Sequence, residues 1–500
     1  MKFLQSTPAW DASPPDVWQD WQLHRLRHYL KERVIPFSAH YRRLFAAHDL
    51  HPEDIYTYDD WSKVPFTTKS HLTVPRDQQR EFVLMPSQEV LRREWGVLWN
   101  TVFHGPGFAR SALEQEFRPV MMTSTTGRSA EPVPFLFTRH DLHNLDTTGR
   151  RLMEVGGSRR DWRHVNTFPY APHLAFWQAH HAGLGFGTFM LSTGGGKVMG
   201  TEGNIGLIDK IRPEVIIGMP TFLYHLLREA VEGRRLWPQI RRIVLGGEKV
   251  AEGMRAKLLV LAQELGADDV HIISTYGFTE AKMALPECPT HLGVSSSGFH
   301  ISPELAFFEI VHPVTGRPVP EGHAGEIVFT PLDARGTVVL RYRTGDIAEG
   351  GMTWTRCPHC GRLSPRLNGP ISRVSEVREL HLDKVKGTLV NFNILEHLLD
   401  DMKGVAAWQV ELRKHDDDPM EVDEILLHVT PETGVNTQDL GHRLERRFAE
   451  VTEVRPNEIH FHDLAGLRAR LGVGRLLKEA KILDARPGAG APVAAPALQA

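Results

Sequence analysis

The chain has 500 residues, a hydrophobic content of 41% and a formal net charge of −3 at pH 7. That length calls for more than one domain. The near-neutral balance leaves no basic footprint for nucleic acid or an anionic membrane, and three cysteines are too few for a disulfide framework.

No apolar run reaches the roughly 18 residues that span a bilayer. The first residues, Met1 to Ser6, soon turn polar and carry no apolar signal segment. The expected setting is therefore cytoplasmic.

Residues 14–50 carry Trp, Leu, Arg and Glu at helical spacing and predict one or two covering helices. Two apolar runs then flank Thr123-Ser124-Thr125-Thr126-Gly127-Arg128. Four hydroxyls and a glycine between strand-like segments offer O–H and N–H donors to phosphate oxygens, or simply form a hydroxyl-rich turn without a ligand. Residues 138–154 predict an N-capped helix with Leu142, Leu145 and Leu152 on it.

Strands and helices then alternate. Strands are predicted at 215–220, 243–245 and 270–274, with helices from Thr221 and over 251–265. This alternation predicts an α/β protein with a parallel sheet, whose ligands sit at the carboxyl ends of the strands. Gly247, Glu248 and Tyr276 lie at such ends. Strands at 305–310, 325–330 and 337–341 suggest a β-rich part. After Ser372 the pattern restarts as a small α+β unit, with helices near 391–399 and 437–448 and strands at 405–412, 424–429 and 459–462. The predicted domains are residues 1–372, of mixed and parallel sheets flanked by helices plus the β-rich part, and residues 373–487. A Gly/Ala/Pro-rich tail at 488–500 is expected to be disordered.

Standard nucleotide and hydrolase patterns fail. Gly194-Gly195-Gly196-Lys197 runs into Val198, and no G-x-S-x-G or H-E-x-x-H occurs. Three other stretches carry chemistry. Tyr276-Gly277-Phe278-Thr279-Glu280 supplies a ring for stacking on a base and a carboxylate able to hold Mg²⁺. Asp346, behind a tight Thr344-Gly345 turn, can accept both hydroxyls of a ribose. Lys478 stands near the end of the chain in a K-x5-D-x-R-P spacing.

In this order the stretches resemble the adenylate-forming superfamily, and in particular its phenylacetate–CoA ligase-like branch, over nearly the whole chain. The resemblance implies ATP, Mg²⁺ and CoA as cofactors and co-substrates. It implies that Thr123, Ser124, Thr125, Thr126 and Gly127 grip phosphates. Tyr276, Gly277, Thr279, Gly247 and Glu248 would border the adenine, and Asp346 would hold the ribose. Glu280 would face Mg²⁺, Arg373 would be the arginine of an inter-domain hinge, and Lys478 would be the catalytic lysine of a mobile small domain. Two positions depart from the family pattern. Ser124 replaces a glycine, and a β-carbon there disfavours left-handed backbone. The hinge pair reads Ser375-Glu376, preceded by Ser372 where a glycine is usual.

The cysteines suggest a further site. Cys357-Pro358-His359-Cys360 is a C-x2-C pair, and Cys288 lies near His291 and His300. A Cys3His set suits tetrahedral structural Zn²⁺, and three unpaired thiols are the alternative. The resemblance favours His300 as fourth ligand, with His291 second.

For the acyl group, Tyr170, His173 and Phe176 could wall a pocket for a flat aryl acid, with Gly218 beside them. A packing role is equally open. The expected activity is ATP-dependent ligation of a small, aromatic carboxylic acid to CoA through an acyl-adenylate. Loading of a carrier protein or other acceptor, or a catalytically impaired nucleotide-binding role, stay open, as does a homodimer.

Overall fold

The computed structural model describes residues 6–86, 101–125, 132–291, 294–373, 377–383, 386–415, 423–452, 455–473 and 479–486. Among these, no helix is long and apolar enough to cross a membrane.

A six-stranded sheet forms the centre. Its strands are β1 (Arg163–Asn166), β2 (Phe189–Ser192), β3 (Val215–Gly218), β4 (Arg242–Leu245), β5 (His271–Phe278) and β6 (Met283–Pro286). The spatial order is β2-β1-β3-β4-β5-β6. The first five run parallel, and β6 turns back antiparallel on β5. Alternate residues of each strand face opposite sides, so a strand covered on both faces must be apolar throughout. All of β3 is accordingly buried. Val215 and Ile217 pack with Met153, Phe176 and Ala179, while Ile216 packs with Ile208, Leu223 and Leu258. The helices Arg139–Val155 and Leu174–Phe186 thus cover one face; Gly196–Ile211, Pro220–Glu232 and Glu252–Glu264 cover the other. The first two cross closely because Gly149 has no side chain: a β-carbon there would lie 2.6 Å from the Ala182 Cα.

The N-capped helix expected over 138–154 is Arg139–Val155, with a capping box between Thr138 and Asp141. β1 and β2 escaped the sequence reading. β1 reads Arg-His-Val-Asn, and its burial comes from both neighbouring strands rather than from its own composition.

A second, antiparallel sheet contains Ala306–Val311, Gly325–Pro331, Tyr342–Ala348 and Ile371–Arg373 in that order. The strand expected at 337–341 is not one. This segment is extended, but its amides serve other partners: Thr337 N–H donates to the Leu136 carbonyl, Val338 to Phe82 and Leu340 to the Tyr41 hydroxyl. Arg341 then takes a left-handed φ of 44°, and the strand begins at Tyr342.

The N-terminal helices close over this sheet. The Gln22 amide donates to the Pro303 carbonyl at 2.7 Å, and the Tyr29 hydroxyl to Ala334 at 2.6 Å. The buried Arg341 guanidinium joins the Val64 carbonyl to the Glu309 carboxylate.

The C-terminal residues build a four-stranded sheet, ordered Glu458–Phe461, Asp423–Pro431, Val405–Lys414 and Ile482–Asp484. The helices Phe392–Asp401 and Thr437–Thr452 pack on it through Leu395, Leu399, Leu440, Leu444 and Phe448.

Candidate nucleotide and acyl site

A cavity of about 730 Å³ opens at the carboxyl ends of β3, β4 and β5. This is where a parallel sheet leaves unfilled space between diverging loops. Thr125, Gly247, Glu248, Tyr276, Gly277, Thr279, Glu280, Asp346 and Arg373 all line it, so one chamber gathers residues spread over some 250 positions of sequence.

Backbone geometry aims these groups. β4 ends at a turn where Gly247 has a φ of 80°, a conformation that strains any residue with a β-carbon. The Glu248 carboxylate then accepts from the Thr221 amide at 3.2 Å and hydroxyl at 2.8 Å. Asp346 does not follow a tight turn as expected. It sits inside strand Tyr342–Ala348, beyond an irregularity where Val328 faces Arg343 but Glu326 faces Ile347. Gly345, with a φ of 72°, makes this bulge. The Thr344 hydroxyl bonds the Ile327 carbonyl and accepts from the Asp346 amide.

The Tyr276 hydroxyl donates to Asp346 Oδ2 at 2.8 Å, and Arg373 Nε lies 3.1 Å from Asp346 Oδ1. The Tyr342 hydroxyl donates to Glu280 at 2.7 Å. Burial raises both carboxyls above their ordinary range; Arg373 offsets this at Asp346 and the Tyr342 hydrogen bond offsets it at Glu280. Two acceptors, Asp346 buried and Glu280 half-buried, thus face a cavity that a polyhydroxyl or cationic ligand would complete.

Thr123 to Ser124 close a hairpin strand, Pro119–Ser124, paired with Pro134–Thr138. Ser124 is extended and not among the positive-φ residues, so its β-carbon costs nothing at that torsion. Its amide donates to the Pro172 carbonyl at 2.6 Å, and His173 Nδ1 donates to the Ser124 carbonyl at 3.2 Å. His173 therefore braces the base of the hydroxyl loop while its ring lines the cavity. Thr126 and Gly127 lie outside the described residues, as do Lys478 and the pair Ser375-Glu376. Ser372 occupies an ordinary strand position opposite Ile347.

The deeper part of the cavity is apolar, with Met153, Phe168, Phe176, Ala179, Ile217 and Met219 on its walls. Tyr170 is 67% exposed and stacks edge-on to Phe176 from outside, so it does not line the cavity. Gly218 lies beneath the wall: a β-carbon there would fall 2.2 Å from the Thr167 hydroxyl.

Three cations in the lining escaped the sequence reading, Lys69, Lys249 and Arg255, the last of them paired with Glu287 at 2.7 Å. Lys69 comes from the N-terminal helical region and its charge favours the ionised form of Glu280. A lone lysine at the start of a four-residue helix gives no sequence signal. Burial lowers Lys249 to about 8, opposed by the nearby Glu396 and Asp346 carboxylates. Because its folded pKa lies below the unfolded one, the unfolded chain binds more protons between about pH 8 and 10.5, and this group's effect on stability improves as pH rises through that window. A half-neutral amine is also nucleophilic. At pH 8 an amine-acylating reagent should label Lys249 ahead of the exposed Lys63, and ATP should slow the labelling; peptide mass spectrometry reads both. Equal labelling of the two lysines would show that Lys249 titrates normally.

The cysteines converge. One ligand atom from each of Cys288, His300, Cys357 and Cys360 lies within 4.8 Å of all the others. Cys288 and Cys357 sulfurs are 3.7 Å apart, and His300 Nε2 is 3.6 Å from the Cys360 sulfur. Ser364, 2.8 Å from Nδ1, orients the imidazole, the usual outer-shell arrangement for a ligating histidine. His291 instead packs on His271, with ring centroids 5.3 Å apart. Three thiols and an oriented imidazole fit a tetrahedral metal of borderline softness.

Comparison with known proteins points to an AMP-forming acid–thiol ligase. A family model described as AMP-binding enzyme matches residues 170–331. The phenylacetate-coenzyme A ligase of Pseudomonas putida is 26% identical over 377 residues, covering 73% of this chain and 71% of that enzyme. The Thermus thermophilus enzyme of the same name is 28% identical over 357 residues, covering 71% and 68%. A crystal structure of 2-hydroxyisobutyryl-CoA ligase in its postadenylation state matches with a TM-score of 0.74 at 17% identity, covering 97% of this chain and 94% of that one. In its thioesterification state that ligase matches with a TM-score of 0.59 at 18% identity, over 97% and 95%. The chain thus resembles the adenylate-forming superfamily, and about 70% of its length is similar to phenylacetate-coenzyme A ligases.

Proposed function

We propose that the chain joins a small aryl carboxylic acid to CoA through an acyl-adenylate. The carrying observation is one continuous cavity that runs from Asp346, Tyr276 and Glu280 to an apolar chamber holding Phe168, Phe176 and Ile217. A nucleotide-binding end joined to an apolar end suits a mixed anhydride of AMP and an apolar acid.

In this reading the acid's carboxylate attacks the α-phosphorus of ATP. A P–O bond forms, and the bond to pyrophosphate breaks. A CoA thiolate then attacks the acyl carbon and AMP leaves. No protein nucleophile is needed, so catalysis rests on positioning and on charge placement. Asp346 receives the ribose hydroxyls once Tyr276 yields its hydrogen bond, and the Tyr276 ring flanks the adenine. Thr125 to Gly127 donate to the phosphates, on a base made by the buried Thr123 and by Ser124, whose amide is held by Pro172. Glu280 is the residue placed to hold Mg²⁺, which neutralises phosphate charge when bound. Lys69 adds a cation on the same side. Residues 373–487 act as a movable unit that brings Lys478 to the phosphorus. Cys288, His300, Cys357 and Cys360 hold Zn²⁺ for structure, since four protein ligands leave no open position.

Pyrophosphate release over a panel of acids, with CoA or a carrier protein as acceptor, tests the reading. Aryl acids and CoA should give the highest kcat/KM. Preference for short aliphatic acids, or no response to any acid, would refute it. Ala179, buried in the chamber wall, supplies a sharper check. Ala179→Leu should raise KM for an aryl acid about tenfold by filling space that one to two methylenes' worth of binding occupied, with ATP affinity unchanged.

A further inference from the structure

The seam between the C-terminal unit and the two helices it touches contains a matched set of polar contacts. The helix Glu252–Glu264 has no side-chain cap of its own: its N-cap residue is Ala251. The Gly253 amide instead donates at 2.7 Å to Asp401 Oδ1, at the end of the C-terminal helix Phe392–Asp401. A helix start leaves its first amides unpaired and favours negative charge, so Asp401 caps this helix from another part of the molecule. Gly253 lets it approach: a β-carbon there would lie 2.4 Å from the Asp400 carbonyl oxygen. One turn further on, Lys257 Nζ donates to the Val405 carbonyl at 2.7 Å.

The second point is on the helix Pro220–Glu232. His225 is 8% exposed and its Nε2 lies 3.3 Å from the carboxylate of Glu479. Its Nδ1 has no hydrogen-bond partner among the described residues. Glu479 directly follows Lys478 in sequence. Arg468 reaches Glu229 on the same helix at 3.7 Å.

We propose that Asp401–Gly253 and Glu479–His225 form a two-point latch that holds the C-terminal unit in the orientation for adenylate formation and presents Lys478. These are positioning residues. The latch must open before thioester formation, because the thiol needs a different approach to the acyl carbon. The solved ligase that matches at 0.74 in its postadenylation state matches at only 0.59 in its thioesterification state, so the contacts above belong to an arrangement of the first kind. The two orientations are then separate states, and a contact made in only one of them shifts the balance. The assignment rests on the adenylating reading above.

The test separates the half-reactions in the full-length protein. Asp401→Ala with Glu479→Gln should slow acid-dependent pyrophosphate exchange about a hundredfold, the effect of losing one charge-assisted hydrogen bond and weakening a second. Thioester formation from supplied acyl-adenylate and CoA should hold its rate or quicken. Asp401→Asn keeps an acceptor and should restore most of the exchange. Equal loss in both half-reactions, or no loss in either, overturns the latch. Small-angle scattering of the ligand-free protein decides the matter without any substrate. The Ala/Gln variant and Gly253→Val should both be more extended than the wild type, and unchanged scattering overturns the proposal. Should the wild type activate no acid at all, the adenylating reading falls while the scattering result still judges the latch.

Discussion

Replacing Lys478 with alanine should slow acid-dependent pyrophosphate exchange by about 10²–10³-fold, the scale of losing one preorganised donor at a developing charge. ATP affinity should barely change. In the proposed reading the nucleotide is recognised by Tyr276, Asp346 and the Gly247 turn, cavity-lining residues that all lie in the larger part of the chain. A lysine that acts only as charge builds at phosphorus contributes to the transition state and not to ground-state binding, so the loss falls on kcat. Lys481, three residues on, cannot substitute. It is already bonded to Asp400 at 3.0 Å and lies over the Trp408 ring. Wild-type exchange rates in the Lys478→Ala protein would remove this residue from the mechanism.

Elemental analysis should find one zinc per chain, and Cys357→Ser should lower Tm by more than about 5 °C, since losing a structural metal costs several kcal/mol. The activity should fall with it, for a local reason. His300 is the second residue of the strand Phe299–His300, and Phe299 packs on Tyr276 with ring centroids 5.8 Å apart. Gly298, Phe299 and Ser295 also line the cavity. Freeing the cluster therefore frees the wall behind the base-stacking ring. A strong chelator should reproduce both effects, and added zinc should reverse them. A metal-free protein with unchanged Tm would mean that the four side chains pack as thiols and imidazole alone.

The sites most legible in the sequence were those whose chemistry is local. Tyr276 to Glu280 and Tyr342 to Asp346 each place several functional groups within one strand end or bulge, so their spacing survives as a pattern. The Cys357–Cys360 pair was visible for the same reason. Its fourth ligand was not settled by spacing, because His291 and His300 both follow Cys288 closely; the place of His300 beside the Cys360 sulfur and the packing of His291 on His271 separate them. Lys69, Lys249 and the Asp401 cap were invisible because each becomes meaningful only across elements far apart in sequence. Residues 337–341 misled for a related reason. Val338, Val339 and Leu340 are buried and β-prone, but the Val338 and Leu340 amides are taken by Phe82 and Tyr41 rather than by a sheet. Propensity reads side chains; it cannot see which acceptor an amide will meet.

The helices near the start of the chain wait a long time for their partners. Gln22 bonds a carbonyl 281 residues away, and Tyr29 one 305 residues away. During synthesis at about 5–20 residues per second, those partners emerge roughly 15–60 s after the helices do. Trp18 and Trp21, both buried in the finished protein, spend that interval without their final cover. Folding of this region is therefore dominated by late, non-local closure, the regime in which rates are slow and exposed apolar surface invites aggregation. Slower synthesis of the first 300 residues should gain little in yield; holdase chaperones that shield the nascent N-terminal helices should gain more.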